Sequence, residues 1–501
     1  MPLRNLRIAP PVSDEVRAAL AALRAELRLP PMFPPDVLDE ARAAAQELAP
    51  GGAWDTRRDA AEGRQDHRDV ELVTIDPPGS LDLDQAVHVA SSGDGYVVRY
   101  AIADLATFVA PGGAVDREVH RRGVTVYGPD TRTPLHPPAL SEGAASLLPG
   151  QDRPAVLWTI GLDSHGEITS ASVVRAVVRS RERLTYGEAQ SALDDGTAPE
   201  PLQLLADVGR LRQERERARG GVSLDVPEQE VVPRGDGSFG LEFRRTLPVE
   251  GWNAQISLLT GIVAARMMRE AGVGILRTLP AADPRDVARL RRTAAALGID
   301  WPEHVEYPDL LPRLESRRPA HAAFLNEATS LFRGAGYLAF GVPADGTEGG
   351  EVVALPADAR HAAIGAEYAH VTAPLRRLVD RYATEICLAH AAGREVPGWV
   401  LEALPGLPAT MAAAGRTASA FERACVDVVE AALLGGRVGQ RFDAVVVDVD
   451  ERDGADRGQV VLRDPAVRAR VDGAALPLGE RAKVTLAEAS VTGRTVRFTL
   501  P

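Results

Sequence analysis

The sequence predicts an α+β protein with a five-stranded barrel at its C-terminal end. Two observations carry that expectation. Between about residues 69 and 180, short runs rich in β-branched residues follow one another: ELVTI, AVHVA, YVVRYAIA, VTVY, AVLWTIGL and ITSASVVRAVVRS. Helical periodicity then takes over through RLTYGEAQSAL, LQLLADVGRLRQERERA and a long stretch at 252–275. Strands followed by helices indicate an α+β body rather than alternating βαβ units. Near residue 439 the texture turns again, with QRFDAVVVDVD, RGQVVLRD, VRARV, RAKVTLAEAS and RTVRFTL as five short alternating strands. Their size and spacing suit an OB-type barrel.

Taken in order, residues 13–48 read as two helices. SDEVRAALAALRAEL has Ser13 as N-cap and acids in its first turn; LPPMFPP breaks it, and DVLDEARAAAQEL resumes. A helix-turn-helix-like module and a plain helical hairpin fit this pattern equally. Residues 51–68 read as a linker or exposed arm. Residues 284–340 and 357–435 are expected to be mostly helical, separated by GTEGGEVVAL. From 439 onward ten acids face ten bases, so the barrel is not a basic patch and a purely structural barrel remains the alternative. The expected domains are 1–68, 69–435 and 436–501.

Composition narrows the function classes. The chain has 501 residues, 45% hydrophobic and 25% charged, ordinary proportions for a globular protein. No apolar run approaches the roughly 18 to 20 residues that span a bilayer, and the N-terminus has no apolar signal region. Cys387 and Cys425 make neither a disulfide framework nor a metal cluster, and are expected in the core of a protein of the reduced cytoplasm. Lys483 is the single lysine, so 56 of the 57 basic residues are arginine. Arginine binds phosphate bidentately and stacks on bases. A net charge of −13 excludes a uniformly basic nucleic-acid binder but permits a basic channel inside an acidic shell.

The stretch TIDPPGSLDLDQAVHV places Asp76, Asp82 and Asp84 among apolar residues. Like charges held close and partly buried need a cation or a proton. If Asp82 and Asp84 lie in an extended strand, their carboxylates share a side, and the PPGS turn can bring Asp76 back to them. Three hard oxygen ligands suit Mg²⁺, or Mn²⁺, with water and substrate phosphate. A pair of such ions would serve phosphodiester hydrolysis. The alternative is a solvated acidic turn.

That stretch, followed by YAIADLATFVAPGGAVDREVHRRGVTVYGPD and LHPPALSEGAASLLPGQDRPA, closely resembles the ribonuclease II and ribonuclease R (RNB) family. The likeness continues through RLTYGEAQSAL, IVAARMMREAGVGIL and YAHVTAPLRRLVDRY, covering about residues 69–435 in order. The resemblance implies an RNB-type catalytic body enclosing an RNA channel and an S1-type RNA-binding barrel behind it. It also implies a metal-dependent, processive hydrolytic 3′→5′ exoribonuclease that releases nucleoside 5′-monophosphates from single-stranded RNA. Relatives carry two cold-shock barrels at the N-terminus. A helical module in their place would favour structured RNA with a 3′ overhang. No membrane and no protein partner are implied.

The same resemblance assigns roles. Asp76, Asp82 and Asp84 match three of four metal-holding aspartates, and Asp84 matches the acid whose loss abolishes hydrolysis while leaving RNA binding. Gln85 stands where the fourth belongs, offering a neutral carbonyl in place of a charge. Tyr127 matches the aromatic that stacks the 3′-terminal base, an interaction worth about 1–3 kcal/mol that tolerates any base. Tyr186 matches a position that contacts the sugar, where a phenol can bond the 2′-hydroxyl. Arg376 and Arg377 follow a helix start with Pro374 at its first position; one is expected on phosphate and one on Asp380. Arg416, with Arg423 as runner-up, matches the arginine that steadies charge on the attacked phosphate. Gln255 falls where the family has an acid beside the RNA. The competing reading is an RNA-binding protein of this fold with impaired catalysis, for which Gln85 is the main sign.

Overall fold

The computed structural model describes residues 14–48, 63–222, 228–233, 239–244, 246–315, 318–344, 349–450, 457–462 and 464–500. The expected cap Ser13 and most of the expected linker lie outside these residues. Helices α1 (Asp14–Glu26) and α2 (Pro35–Leu48) are rich in Ala and Leu, strong helix formers. On α1, Val16, Leu20 and Leu23 form one apolar stripe and join the core of the long helix Leu407–Leu434 around Phe421, Cys425 and Val428. On α2, Val37 and Ala41 enter a different core, with Val115 and Val119 of the helix Ala114–Arg122. The two helices therefore dock separately on the body.

The end of the expected arm is structural. Strand β1 (Gln65–Asp76) starts there, and the barrel continues through β2 (Gln85–Ser92) and β3 (Gly95–Ala103). A small hairpin, β4 (Val126–Tyr127) and β5 (Arg132–Thr133), intervenes. Strands β6 (Asp152–Leu162) and β7 (Ile168–Thr185) then close the barrel, with β7 parallel to β1. Tyr100, Ile102, Trp158 and Ile160 are buried on the strand face that packs against the helices, while Leu72, Ala86, Ala101, Leu157 and Val178 form a separate cluster drawn from all five strands. Alternate positions along the strands thus feed two different cores, as the period of two requires.

After the helices Tyr186–Asp194 and Glu200–Ala218 comes a hairpin of β8 (Glu228–Pro233) and β9 (Phe239–Arg244). The sequence reading omitted it, although EVVPRGDGSFGLEF carries a hairpin signal of apolar alternation around Gly-rich turn residues. The long central helix appears as Pro248–Ala271, buried against its neighbours along most of its length. Strands β10 (Gly274–Thr278) and β11 (Gly336–Phe340) pair around a helical insertion that includes Pro284–Ala296 and Pro319–Ala328. Residues 357–377 were expected to be helical and are not. Turns and isolated bridges of His361 to Leu279 and Ala366 hold them against the body instead.

The C-terminal barrel follows expectation: β12 (Arg441–Asp450), β13 (Arg457–Leu462), β14 (Arg468–Gly473), β15 (Arg481–Ser490) and β16 (Thr495–Leu500) close in the order β12-β13-β14-β16-β15. Phe442 and Phe498 meet edge to face at 5.7 Å in its core. Cys387 and Cys425 are both buried free thiols. Among the described residues, no helix is long and apolar enough to cross a membrane.

Candidate active site

The aspartate stretch is a loop rather than a strand. Asp76 ends β1, and Pro77–Ser80 turns with Ser80 N–H donating to the Pro77 carbonyl at 3.2 Å. Gly79 takes φ 81°, which a type II turn demands at its third position and a side chain would resist. Arg183 of β7 donates to the Ser80 carbonyl at 2.9 Å. Ser146 then stitches the far limb: its hydroxyl donates to the Leu81 carbonyl at 2.6 Å and accepts from Leu83 N–H at 3.0 Å. Leu83 is fully buried between the two acids, anchoring them in place.

Arg376 and Arg377 sit on a tight turn that faces this loop. The helix they precede begins at Leu378, four residues later than expected from Pro374. The reason is Asp380, which is 0% exposed and accepts from Ala373 N–H at 2.7 Å and from Arg377 at 2.9 and 2.8 Å. One buried carboxylate thus draws residues 373–377 into a turn over the helix start. Leu375 N–H donates to Asp84 Oδ1 at 2.7 Å, and Arg376 Nε lies 3.5 Å from Asp84 Oδ2. Thr125 N–H donates to the Arg376 carbonyl at 3.0 Å, tying this turn to the strand that carries Tyr127.

Both tyrosines arrive at the acids. The Tyr127 hydroxyl donates to Asp82 Oδ2 at 3.4 Å. Tyr186 opens its helix behind a Thr185–Glu188 capping box, and Thr185 pairs with Asp76 across β7 and β1. That register places Tyr186 beside Asp76. Burial pushes its phenol up to about 12, and the neighbouring Asn253 side chain pulls the other way. Arg132, which the sequence reading did not single out, donates to Asp82 Oδ1 at 2.7 Å and pairs with Glu142 at 2.5 Å. Nothing in its local sequence marks it; only the β4–β5 fold brings it to the acids.

Three expected positions are corrected or unjoined. Gln85 turns away from the metal set: its amide N–H donates to the Thr372 carbonyl at 2.6 Å, and its carbonyl accepts from Tyr100 at 2.8 Å. Tyr100 also bonds Ser257 at 2.8 Å, so Gln85 belongs to a polar seam inside the body. Gln255 is buried and donates to Glu216 at 2.7 Å, between two helices and not toward Tyr186. Asn253, two residues earlier on the same helix, faces the tyrosine instead. Arg416 is exposed on the helix Leu407–Leu434, as is Arg423. That helix backs the site through Ala414, whose Cβ would lie 2.5 Å from a Cβ on Gly123.

Electrostatics mark the acids as strained. Burial pushes the Asp76 carboxyl up to about 7, opposed by Arg376 and Arg183 and reinforced by Asp82. Burial likewise raises Asp84 well above the usual carboxylate range, against the pull of Arg376 and the Leu375 N–H. A divalent cation would relieve both. Among the described residues no group of three or more His, Cys, Asp or Glu side chains could hold a metal ion alone. Asp82 is engaged by Arg132 and Tyr127. Asp76 and Asp84 offer hard oxygen donors, the ligand type that Mg²⁺ and Mn²⁺ take.

Known proteins share this frame. The RNB domain family matches residues 64–391, and the RNase II-type exonuclease C-terminal S1 domain matches residues 440–500. Ribonuclease R of Escherichia coli (strain K12) is 27% identical over 356 residues, 68% of this chain and 42% of that protein. Ribonuclease R of Aquifex aeolicus (strain VF5) is 29% identical over 223 residues, 43% of this chain and 30% of that protein. The chain thus spans less than half the length of these relatives. The apo form of Mycoplasma genitalium RNase R superposes with a TM-score of 0.83 at 20% identity, covering 97% of this chain and 78% of that one; it has also been solved with ribose-methylated single-stranded RNA and with double-stranded RNA. Yeast Ssd1, a pseudonuclease, superposes with a TM-score of 0.64 at 15% identity, over 94% of this chain and 57% of that one. With the RNB match running over more than half of the sequence, through the aspartate loop and the arginine turn alike, the chain belongs to the RNB family.

Proposed function

We propose that this protein is a metal-dependent 3′→5′ exoribonuclease that hydrolyses single-stranded RNA processively to nucleoside 5′-monophosphates. The observation that supports this best is the shared grip on Asp84. A backbone N–H and a guanidinium meet one buried carboxylate, placing positive charge where an RNA phosphate would approach the acids. Asp76 and Asp84 would hold Mg²⁺ or Mn²⁺, which supplies Lewis-acid activation of water and phosphate. Arg132 keeps Asp82 oriented through a two-sided ion pair with Glu142. Arg376 neutralises the charge that grows on the phosphate oxygens. Tyr127 presents a half-buried ring to stack the terminal base, and Tyr186 with Asn253 offers polar contacts to the ribose.

The M. genitalium complexes make single-stranded RNA the first ligand to try and duplex RNA with a 3′ overhang the second. Arginine along the RNA path, such as Arg376, would reconcile binding with the charge of −13, and affinity should fall as salt rises because phosphate contacts release counterions. We place Arg416 among the groups that meet RNA from the flank of the site.

A second reading has its own support. Gln85 is satisfied at both ends of its amide, and Ssd1 shows that a pseudonuclease can share this fold. The deciding experiment follows a 5′-labelled RNA with Mg²⁺ or Mn²⁺, for wild type and Asp84→Asn. A ladder shortening from the 3′ end in wild type alone supports the enzyme. RNA bound by both proteins and cut by neither supports the impaired form.

A further inference from the structure

We infer that Arg24 of α1 is a positioning residue for the active site, latching the β4–β5 hairpin that carries Tyr127 and Arg132. The inference rests on the reading of Tyr127 as the platform for the terminal base. Helix α1 precedes the family match, which starts at residue 64.

The hairpin is short. Only two residue pairs join its strands, Val126 with Thr133 and Tyr127 with Arg132. An isolated two-stranded ribbon is marginal in water even at greater length. Yet its two site-facing side chains both bond Asp82, Tyr127 at 3.4 Å and Arg132 at 2.7 Å. Thr125 N–H on the Arg376 carbonyl holds the base and Gly128 N–H on the Thr131 carbonyl closes the turn, each at 3.0 Å, so the tip at Asp130 is the part left to be fixed from outside the hairpin.

Arg24 supplies that fixing. Its guanidinium makes a two-pronged pair with Asp130 at the hairpin tip, one bond at 3.0 Å and a second, shorter one to the other carboxylate oxygen. It also reaches the Thr131 carbonyl at 3.5 Å and lies over the Phe421 ring, 5.3 Å from its centroid. The Arg24 and Asp130 side chains are only 18% and 20% exposed, so the pair is partly shielded from water. Gly128 closes the fit. A Cβ there would come within 2.9 Å of the Arg24 guanidinium and 3.1 Å of the Phe421 ring. The helix is itself anchored twice, by its apolar stripe on the helix Leu407–Leu434 and by Glu26, 3.1 Å from Arg494 of the C-terminal barrel. A continuous path of contacts therefore runs from that barrel through α1 to the hairpin that carries Tyr127, with the apolar stripe rather than the pair of exposed Glu26 with Arg494 as its firm part.

The test uses the full chain and four proteins: wild type, Arg24→Glu, Asp130→Asn, and Arg24→Glu with Asp130→Arg. Hydrogen exchange of amides 126–133 without RNA reports the latch directly. Single-turnover and steady-state hydrolysis of a labelled RNA report its consequence. Both single variants should exchange faster across 126–133 and lose about tenfold in kcat with little change in KM, since slight misplacement of a catalytic constellation is costly. The double variant should recover both, as a re-formed pair does in a coupling cycle. Unchanged exchange in the single variants, or a double variant no better than Arg24→Glu, would overturn the latch. A wild type that cuts no RNA would sink the exonuclease reading, while the exchange results would still decide the latch. Asp130→Asn carries the test if Arg24→Glu does not fold.

Discussion

Arg376 Nε lies 3.5 Å from Asp84 Oδ2, while the next residue, Arg377, turns back to Asp380 with two bonds of 2.9 and 2.8 Å. Neighbours in sequence thus serve opposite sides of one turn. Replacing Arg376 by Ala should lower hydrolysis about 10²-fold or more, as loss of one preorganised charge donor does. Stability should fall less than for Arg377→Ala, since Arg376 is 35% exposed and its 3.5 Å pair with Asp84 is looser, which a melting curve beside the rate assay would show.

Arg377→Ala should do the reverse. Asp380 is 0% exposed and would lose its guanidinium partner. Breaking a buried pair from one side costs about 3–5 kcal/mol. Denaturant unfolding should register that loss, and at low temperature, where the fold survives, the rate should change only a few-fold. A large rate loss without a stability loss would reverse the two assignments.

Asp76 gives a pH-dependent prediction. Its carboxyl is pushed up to about 7 in the fold, against 3.8 for an ordinary Asp. A raised folded value means the protonated form is the one the fold favours. The stability it contributes is complete at pH below 3.8 and is lost as pH rises toward about 7. Asp76→Asn, neutral at every pH, should therefore melt above wild type at about pH 8, and the gap should narrow as pH falls below about 7 and close only below 3.8, in metal-free buffer. The same variant should be inactive. Melting curves that stay parallel across this range would contradict the burial argument.

Gln85→Asp tests whether an acid is simply missing. The amide N–H now donates to the Thr372 carbonyl at 2.6 Å, and a carboxylate would face that carbonyl with repulsion. The substitution should cost about 1–3 kcal/mol, the usual penalty for unpairing a buried acceptor. It should not raise hydrolysis. Increased activity or tighter Mn²⁺ binding would mean that the seam with Tyr100 can be rearranged.

On the central helix, Gln255→Ala should leave RNA affinity and cleavage within about twofold, because its partner is Glu216 rather than substrate. Asn253→Ala should weaken the preference for RNA over DNA of the same sequence, because its side chain lies beside the Tyr186 phenol. Competition between the two nucleic acids measures both.

The barrels were legible because their signal is local. In the C-terminal barrel β14, β15 and β16 largely alternate apolar and polar residues, while β12 and β13 carry the short apolar runs AVVV and VVL. All five are short β-rich runs, so strand existence was readable from the residues although the shifts at Val446/Asp448 and Leu486/Glu488 were not. The family likeness likewise brought Asp76, Asp82, Asp84, Tyr127 and Tyr186 together, and the structure sets them around one site. Helix limits at 357–377 failed for a tertiary reason. Pro374 is a good first residue for a helix, but the buried Asp380 recruits the backbone before it and moves the start to Leu378.

Identity of the chemical groups could be read residue by residue, since a carboxylate, a phenol or a guanidinium brings its chemistry wherever it is placed. Direction could not. Gln85 and Asp84 are adjacent, yet Asp84 faces Arg376 while Gln85 faces Tyr100, because each was captured by partners remote in the chain. Gln255 and Asn253 divide in the same way on one helix. Arg24 and Arg132 carry no local mark at all, and only the packing of α1 and the β4–β5 hairpin gives them something to hold. Side-chain aim is set by long-range hydrogen bonds and burial, and those exist only once the distant segments have met.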